Sequence, residues 1–130
     1  MLIPLLALAM MQQPQPVPEH QRGSALYHDC LVAVALMDTT APPGSNVDHM
    51  LAVAESNSCV EYISGFAEGV NIGVTDALKT EGSTLCVYGS SVATLTHVYV
   101  LYMKAHPTLM DQHRSIGLML SLKEAFTCPK

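Results

Sequence analysis

The chain has 130 residues and a formal net charge of −5; 49% of its residues are apolar and only 13% are charged. The apolar content is too high for a disordered chain, and six Lys and Arg against eleven Asp and Glu leave no basic surface for nucleic acid. No stretch reaches the roughly 18 apolar residues of a membrane span, and the length indicates a single domain.

The N-terminus resembles an export signal. Ten of the first eleven residues are apolar, and Ala7-Leu8-Ala9 supplies the small-x-small pattern that a signal peptidase accepts. A Pro- and Gln-rich run without helical or strand period follows it. We therefore predict a signal-peptide-like segment over 1–11, a tether over 12–22 and a helical domain over 23–130. The alternative is a loose apolar tail on a cytosolic protein.

Helical periodicity dominates the first half of the domain. Apolar residues spaced three and four apart predict a first helix from Ala25 to about Met37. After a loop with two prolines and a glycine, a short helix is expected over Val47–Glu55. Ser58 and Glu61 fit a capping box, which predicts that a long helix begins there and runs to about Lys79.

Two further helices are predicted in the second half. Ser90 or Ser91 can cap a third helix that runs to about Ala105, although its β-branched residues make a strand the alternative. A fourth helix is expected over 111–126, and the side predicted to face the core carries Ile116, Met119, Leu120, Lys123 and Phe126. The predicted fold is an all-α, disulfide-stapled bundle of four main helices plus one short helix.

Four cysteines with long spacings and no CxxC motif argue against zinc or thioredoxin-type redox chemistry. In an exported domain an even number indicates two disulfides with three pairings to choose from, and four buried free thiols are the alternative. Short connections favour antiparallel neighbouring helices. That topology favours the pairs Cys30–Cys59 and Cys86–Cys128.

Gly65, Gly69 and Gly73 recur every four residues inside the predicted long helix. Each costs about 1 kcal/mol relative to alanine, so a compensating contact is expected. Close approach of another helix in the same domain is the favoured explanation, and a flat strip for a second subunit is the alternative. Acidic residues on this helix argue against a transmembrane glycine motif.

No catalytic or metal-binding motif stands out. The six histidines form neither a pair spaced four apart nor an HExxH motif, and Gly89-Ser90-Ser91-Val92 is not a nucleophile elbow. The carboxylates are scattered along the chain. We therefore predict no enzyme activity, no cofactor and no metal, and a protein that acts by binding.

Ordered motifs along the chain resemble the Rap/Tai immunity family. The resemblance spans about residues 24–128 and rests on these segments: Leu26-Tyr27-x-x-Cys30, Cys59-Val60-Glu61-Tyr62-Ile63-x-Gly65-x-Ala67-x-Gly69, Cys86, Tyr102-x-x-x-His106-Pro107 and Leu122-x-x-Ala125-Phe126-x-Cys128.

The resemblance implies a periplasmic protein that binds and occludes a peptidoglycan amidase effector of type VI secretion. It also implies a homodimer, and it implies neither nucleic-acid binding nor a membrane location for the mature form. Two loops, 80–91 and 106–111, are candidate contact regions, and the candidate partner-binding residues are Glu61, Glu68, Asp76 and Tyr88. A periplasmic acid chaperone resembling HdeA is the alternative function, because charge density is low and histidines are numerous.

Overall fold

A computed structural model describes residues 14–38, 46–77 and 85–128, and the side chains in these ranges other than those of 46–47 and 71–77. Lys79, the predicted end of the long helix, lies outside the described residues. The described residues form four α-helices: α1 (Gly23–Met37), α2 (Asn46–Ala77), α3 (Val92–Ala105) and α4 (Arg114–Ala125). Short 3₁₀ turns span Glu19–Gln21 and Pro107–Leu109. The predicted all-α fold is confirmed.

The predicted short helix and long helix are one continuous helix, α2, of 32 residues. The break predicted at Ser56–Ser58 is wrong. Serine and asparagine cost only a few tenths of a kcal/mol each inside a helix, so burial on either side can outweigh them. Ala52 before the serines and Cys59 after them are both buried.

Helices α1 and α3 form the centre of the bundle, because each of them packs against the other three helices. Leu26, Cys30 and Ala33 form the buried side of α1, as the helical period predicts. The core continues into the other helices with these fully buried side chains: Cys59, Ile63, Leu95, Tyr99, Met103, Leu118 and Leu122.

Both predicted disulfides are present. Cys30 in α1 joins Cys59 in α2, with Cα atoms 5.1 Å apart, and Cys86 joins Cys128 across the end of α4, with Cα atoms 5.0 Å apart. All four cysteines are therefore paired. The first disulfide is fully buried, whereas Cys86 is exposed.

Helix α3 begins at its predicted cap. The Ser91 hydroxyl accepts a hydrogen bond from the Thr94 amide at 3.1 Å, which satisfies one of the free donors of the first turn. The strand alternative is therefore wrong. Inside the helix, the Thr96 hydroxyl donates to the Val92 carbonyl at 2.8 Å, so this β-branched residue is satisfied while buried.

The buried side of α4 differs from the prediction. The structure buries Gly117, Leu118, Ser121 and Leu122. The predicted face is wrong, because Ile116, Met119 and Leu120 remain 38–41% exposed and Lys123 is exposed. Both sides of α4 carry apolar residues three and four apart, so periodicity does not choose between them. Residue size decides between the two sides. The buried side carries the small residues Gly117 and Ser121, so α4 can approach α3 closely.

Gly117 shows how close that approach is. A Cβ built there would lie 2.5 Å from the Met103 sulfur, and one built on Gly23 would lie 2.7 Å from the Leu109 carbonyl oxygen. Gly65 and Gly69 differ, because no described residue would lie within 4 Å of a Cβ on either. None of the described helices therefore makes the predicted close approach at these two positions. The side chain position of residue 73 lies outside the described set.

Candidate functional site

The outer side of α2 presents an ordered series of residue types. At about 100° per residue, the direction rotates from buried Ile63 past Phe66 and Tyr62 to the glycines and then to the glutamates. Tyr62 and Phe66 are half-buried, with ring centroids 6.5 Å apart. The remaining members are exposed, namely Gly65, Gly69, Glu61 and Glu68. We call Gly65 and Gly69 the glycine strip and Tyr62 with Phe66 the aromatic ledge. The strip separates the ledge from the two carboxylates.

Beside the ledge lies an apolar groove between α2 and α4. Its volume is about 370 Å³, and it is lined by Phe66, Ser115, Ile116, Met119 and Leu120. The groove is built from the large residues that α4 leaves outside the core. Glycine strip, ledge and groove thus form one surface, which we call the α2/α4 face.

Arg114 closes one edge of this face. Its guanidinium carbon lies 4.1 Å from the centroid of the Tyr62 ring, a cation–π distance. Its Nε is buried and has no hydrogen-bond partner among the described residues. The side chain is therefore held by packing against Tyr62, and the charge stays at the edge of the face.

The predicted contact residues lie in separate places. Glu61 and Glu68 are exposed on α2, and Asp76 belongs to the same helix but its side chain lies outside the described set. Tyr88 is 91% exposed at a turn before α3, where Gly89 adopts a φ of 83°. That conformation is accessible to glycine at little cost, so the turn can project the tyrosine outward.

A second groove lies between α3 and α4, with a volume of about 400 Å³. The imidazole of His106 stacks on the Tyr102 ring, with centroids 4.0 Å apart, and its Nδ1 lies 2.8 Å from the Tyr102 carbonyl oxygen. Leu101, on the same groove, is 68% exposed. His106, which lines this groove, and Pro107 after it form one of the motifs that carry the family resemblance.

Ser115 and His113 lie within hydrogen-bonding distance of each other, but their contact caps the start of α4. His113 Nδ1 is 2.8 Å from the Ser115 hydroxyl, and the same nitrogen accepts from the Ser115 amide at 3.3 Å. This is an N-cap of α4, in which the imidazole replaces the usual hydroxyl or carboxylate acceptor. No third group that would orient His113 as a base is found among the described residues.

The two perturbed groups are also structural. Burial raises the pKa of the Tyr99 hydroxyl, which donates to the Gly23 carbonyl at 3.3 Å. The pKa of His97 is raised from 6.5, chiefly because its Nδ1 faces the Ala93 carbonyl at 2.8 Å; Asp38 adds to this at 3.1 Å from Nε2. Neither group lines the α2/α4 face.

Three residues that can ligate a metal approach one another between α1 and α2. Donor atoms of His28, Asp29 and Glu55 all lie within 4.8 Å of each other. His28 is 65% exposed, and its Nδ1 lies 3.7 Å from the Asp29 carboxylate. Since exposed groups of this kind are common without a metal, we assign them no ion. Among the described residues, no helix is long and apolar enough to cross a membrane.

The sequence analysis missed the groove residues of α4. Ile116, Met119 and Leu120 were expected to be buried, yet they are 38–41% exposed and line the groove of the α2/α4 face. The available signal was the neighbouring pattern of small residues at Gly117 and Ser121. Such residues allow a close helix approach and so favour the opposite side for the core.

Taken together, these features define a small helical bundle that is held by two disulfides and presents an apolar groove at its surface. The model of the family "Rap1a immunity proteins" matches residues 22–128. The chain therefore belongs to the Rap1a immunity protein family. The comparisons with curated proteins and with solved structures gave no match.

Proposed function

We propose that the protein is a periplasmic immunity protein that binds and occludes a peptidoglycan amidase effector delivered by type VI secretion. The observation that carries this proposal is the match to the immunity family over nearly the whole described domain. Members of an immunity family act on a protein partner, and the open α2/α4 face offers a surface for one. Inhibition by covering a cleft needs no chemistry from the inhibitor.

Rigidity supports this mechanism. Ordering flexible side chains and loops on binding costs about 0.5–1.5 kcal/mol per immobilised side chain, so a preorganised inhibitor binds more tightly. The disulfide Cys30–Cys59 fixes α1 to α2, and Cys86–Cys128 fixes the start of α3 to the end of α4. The net charge of −5 would steer the protein toward a basic partner.

We assign residues 1–11 to an export leader and 12–22 to a tether. Two disulfides fit an oxidising compartment, which supports this assignment. Within the tether, the Arg22 guanidinium donates from Nε to the Val17 carbonyl at 3.1 Å. The Arg22 backbone pairs with that of His113, so the end of the tether contacts the domain.

The family resemblance also implies a homodimer. The glycine strip is a poor two-fold interface, because an isologous contact places the same patch on both copies. Glu61 and Glu68 border the strip, so two copies crossing there would bring like charges together. We therefore place any homodimer contact away from the glycine strip.

The test is inhibition of a purified amidase. The mature, disulfide-intact protein serves as bait in a periplasmic extract, and a retained amidase is then assayed on peptidoglycan with increasing protein. We expect inhibition to be complete near one equivalent and to be weakened by reducing and alkylating the cysteines. Undiminished hydrolysis at a tenfold excess, or retention of unfolded proteins only at low pH, would contradict the proposal.

A further inference from the structure

The α2/α4 face differs from the remaining surface in having three matched features side by side. The groove offers apolar volume, the glycine strip offers backbone without side chains, and Glu61 with Glu68 offers negative charge beyond the strip. A single partner segment that crosses α2 meets all three in turn.

The glycine strip determines how closely that segment can approach. Among the residues that the structure describes, none lies within 4 Å of a Cβ built on Gly65 or Gly69, so no described contact offsets the cost of these two helical glycines. That cost is about 1 kcal/mol for each glycine. A partner backbone lying against the strip would use the space, since small residues allow main chains to pack closely.

The groove determines which type of side chain the partner segment places at one end. Phe66 forms one wall, while Ile116 and Met119 on α4 are 40–41% exposed and form another. Covering them removes apolar surface from water at about 25 cal/mol per Å². A leucine, methionine or aromatic side chain fits a groove of about 370 Å³.

The charges around the face favour particular residues on the partner segment. Glu61 and Glu68, on the far side of the glycine strip, favour Lys or Arg. The width of α2 sets the distance between this basic residue and the apolar side chain of the segment. A second copy of this chain fits less well, because it would bring its own glutamates to the strip. Arg114, at the other edge, favours a carboxylate or carbonyl on the partner.

We propose that the effector docks on the α2/α4 face with an apolar side chain in the groove, its backbone over the glycine strip, and a basic residue against Glu61 and Glu68. This inference rests on the proposed function and names the surface and the partner chemistry. It places the other groove, between α3 and α4, outside the interface.

The test compares variants that alter exposed positions, using the amidase retained in the pull-down as the probe. Met119→Lys places a charge in the α2/α4 groove, and Leu101→Lys makes a comparable change in the α3/α4 groove. We expect at least a hundredfold loss of affinity for Met119→Lys and less than a twofold change for Leu101→Lys. Glu68→Lys should weaken binding about tenfold at low salt and less at high salt, whereas Glu124→Lys should not.

The outcomes separate the two proposals. If wild type binds the amidase and Met119→Lys binds equally well, the docking surface is wrong while the proposed function stands. If the retained partner is not a cell-wall hydrolase but Met119→Lys releases it, the surface stands and the function is wrong. If wild type retains no protein, both fall. Light scattering on each variant shows whether Met119→Lys instead dissociates a dimer without affecting the amidase, which would assign the face to a second copy.

Discussion

Gly117 in α4 and the pair Gly65 and Gly69 in α2 occupy opposite surroundings in the same bundle. At Gly117 the side chain of Met103 fills the space that a Cβ would need, whereas no described residue occupies that space at Gly65 and Gly69. One glycine serves the internal packing of α4 on α3. The other two cost helix stability and gain no contact from the described part of the chain, and the proposed partner backbone would use that space.

The same contrast separates the two sides of α4. The buried side combines Leu118 and Leu122 with the small residues Gly117 and Ser121, which let α4 approach α3, whereas the apolar residues Ile116, Met119 and Leu120 face outward. Because one side of α4 packs into the core, the apolar residues on its other side stay at the surface.

Removing the buried disulfide should have the largest effect. The double variant Cys30→Ala/Cys59→Ala should lose about 4 kcal/mol of unfolding free energy from loop entropy, and more from the packing of two fully buried side chains. Urea unfolding without reductant measures this loss.

The other disulfide is the control. Cys86 and Cys128 are 42 residues apart rather than 29, which adds only about 0.3 kcal/mol in the entropy model. Because Cys86 is exposed, removing this disulfide should cost less in total. A greater loss here than for Cys30–Cys59 would mean that buried packing at the first disulfide contributes little.

Filling the packed glycine should come next. Gly117→Leu must displace Met103, so we expect a loss of about 2–3 kcal/mol by overpacking. The matched change Gly69→Leu meets open space and should cause no loss. Urea midpoints at constant slope compare the two; equal losses would remove the distinction between the packed and open sides.

Filling the open glycines should stabilise the protein. The double variant Gly65→Ala/Gly69→Ala should gain about 1.5–2 kcal/mol, since alanine restricts the unfolded chain and no described residue lies within 4 Å of the new methyl groups. A rise in the thermal midpoint checks this. A fall would show that these positions do pack against part of the chain.

The smallest expected effect is a pH dependence at the junction of α1 and α3. Both ring nitrogens of His97 face acceptors, Ala93 first and Asp38 second, so the imidazolium is favoured and the pKa is raised. Its contribution is therefore complete below the unfolded pKa of about 6.5 and disappears as pH rises through the higher folded value.

Asp38→Asn removes the charged acceptor. The side chains of His97 and Asp38 are 39% and 53% exposed, so solvent limits the loss to about 0.5 kcal/mol at pH 5.5. The difference from wild type should vanish at pH 8.5. A difference that is equal at both pH values would show that His97 protonation is not involved.

Local signals in the sequence predicted much of the fold. Ser91 caps α3 as a serine before an apolar period should, and antiparallel connections gave the two disulfide pairs because they bring Cys86 near Cys128. Glu61 and Glu68, candidate contact residues from the sequence, are exposed, as expected for positions opposite Cys59 and Ile63 on a 3.6-residue period.

Choices between alternatives of similar local energy were not predictable. Ser56 to Ser58 could end a helix or lie within one, and only tertiary burial at Ala52 and Cys59 decides. The two sides of α4 have similar periodicity, and the fit of Gly117 against Met103 selects one of them. The groove arises from that selection, so the sequence analysis missed it.

The most direct test of the account is the affinity of Gly65→Ala/Gly69→Ala for the amidase, measured on the same sample as its stability. If the open glycines are kept for the partner backbone, the variant should be more stable than wild type and bind at least tenfold more weakly. A more stable variant that binds as tightly as wild type would contradict the claim that the α2/α4 face is the binding face.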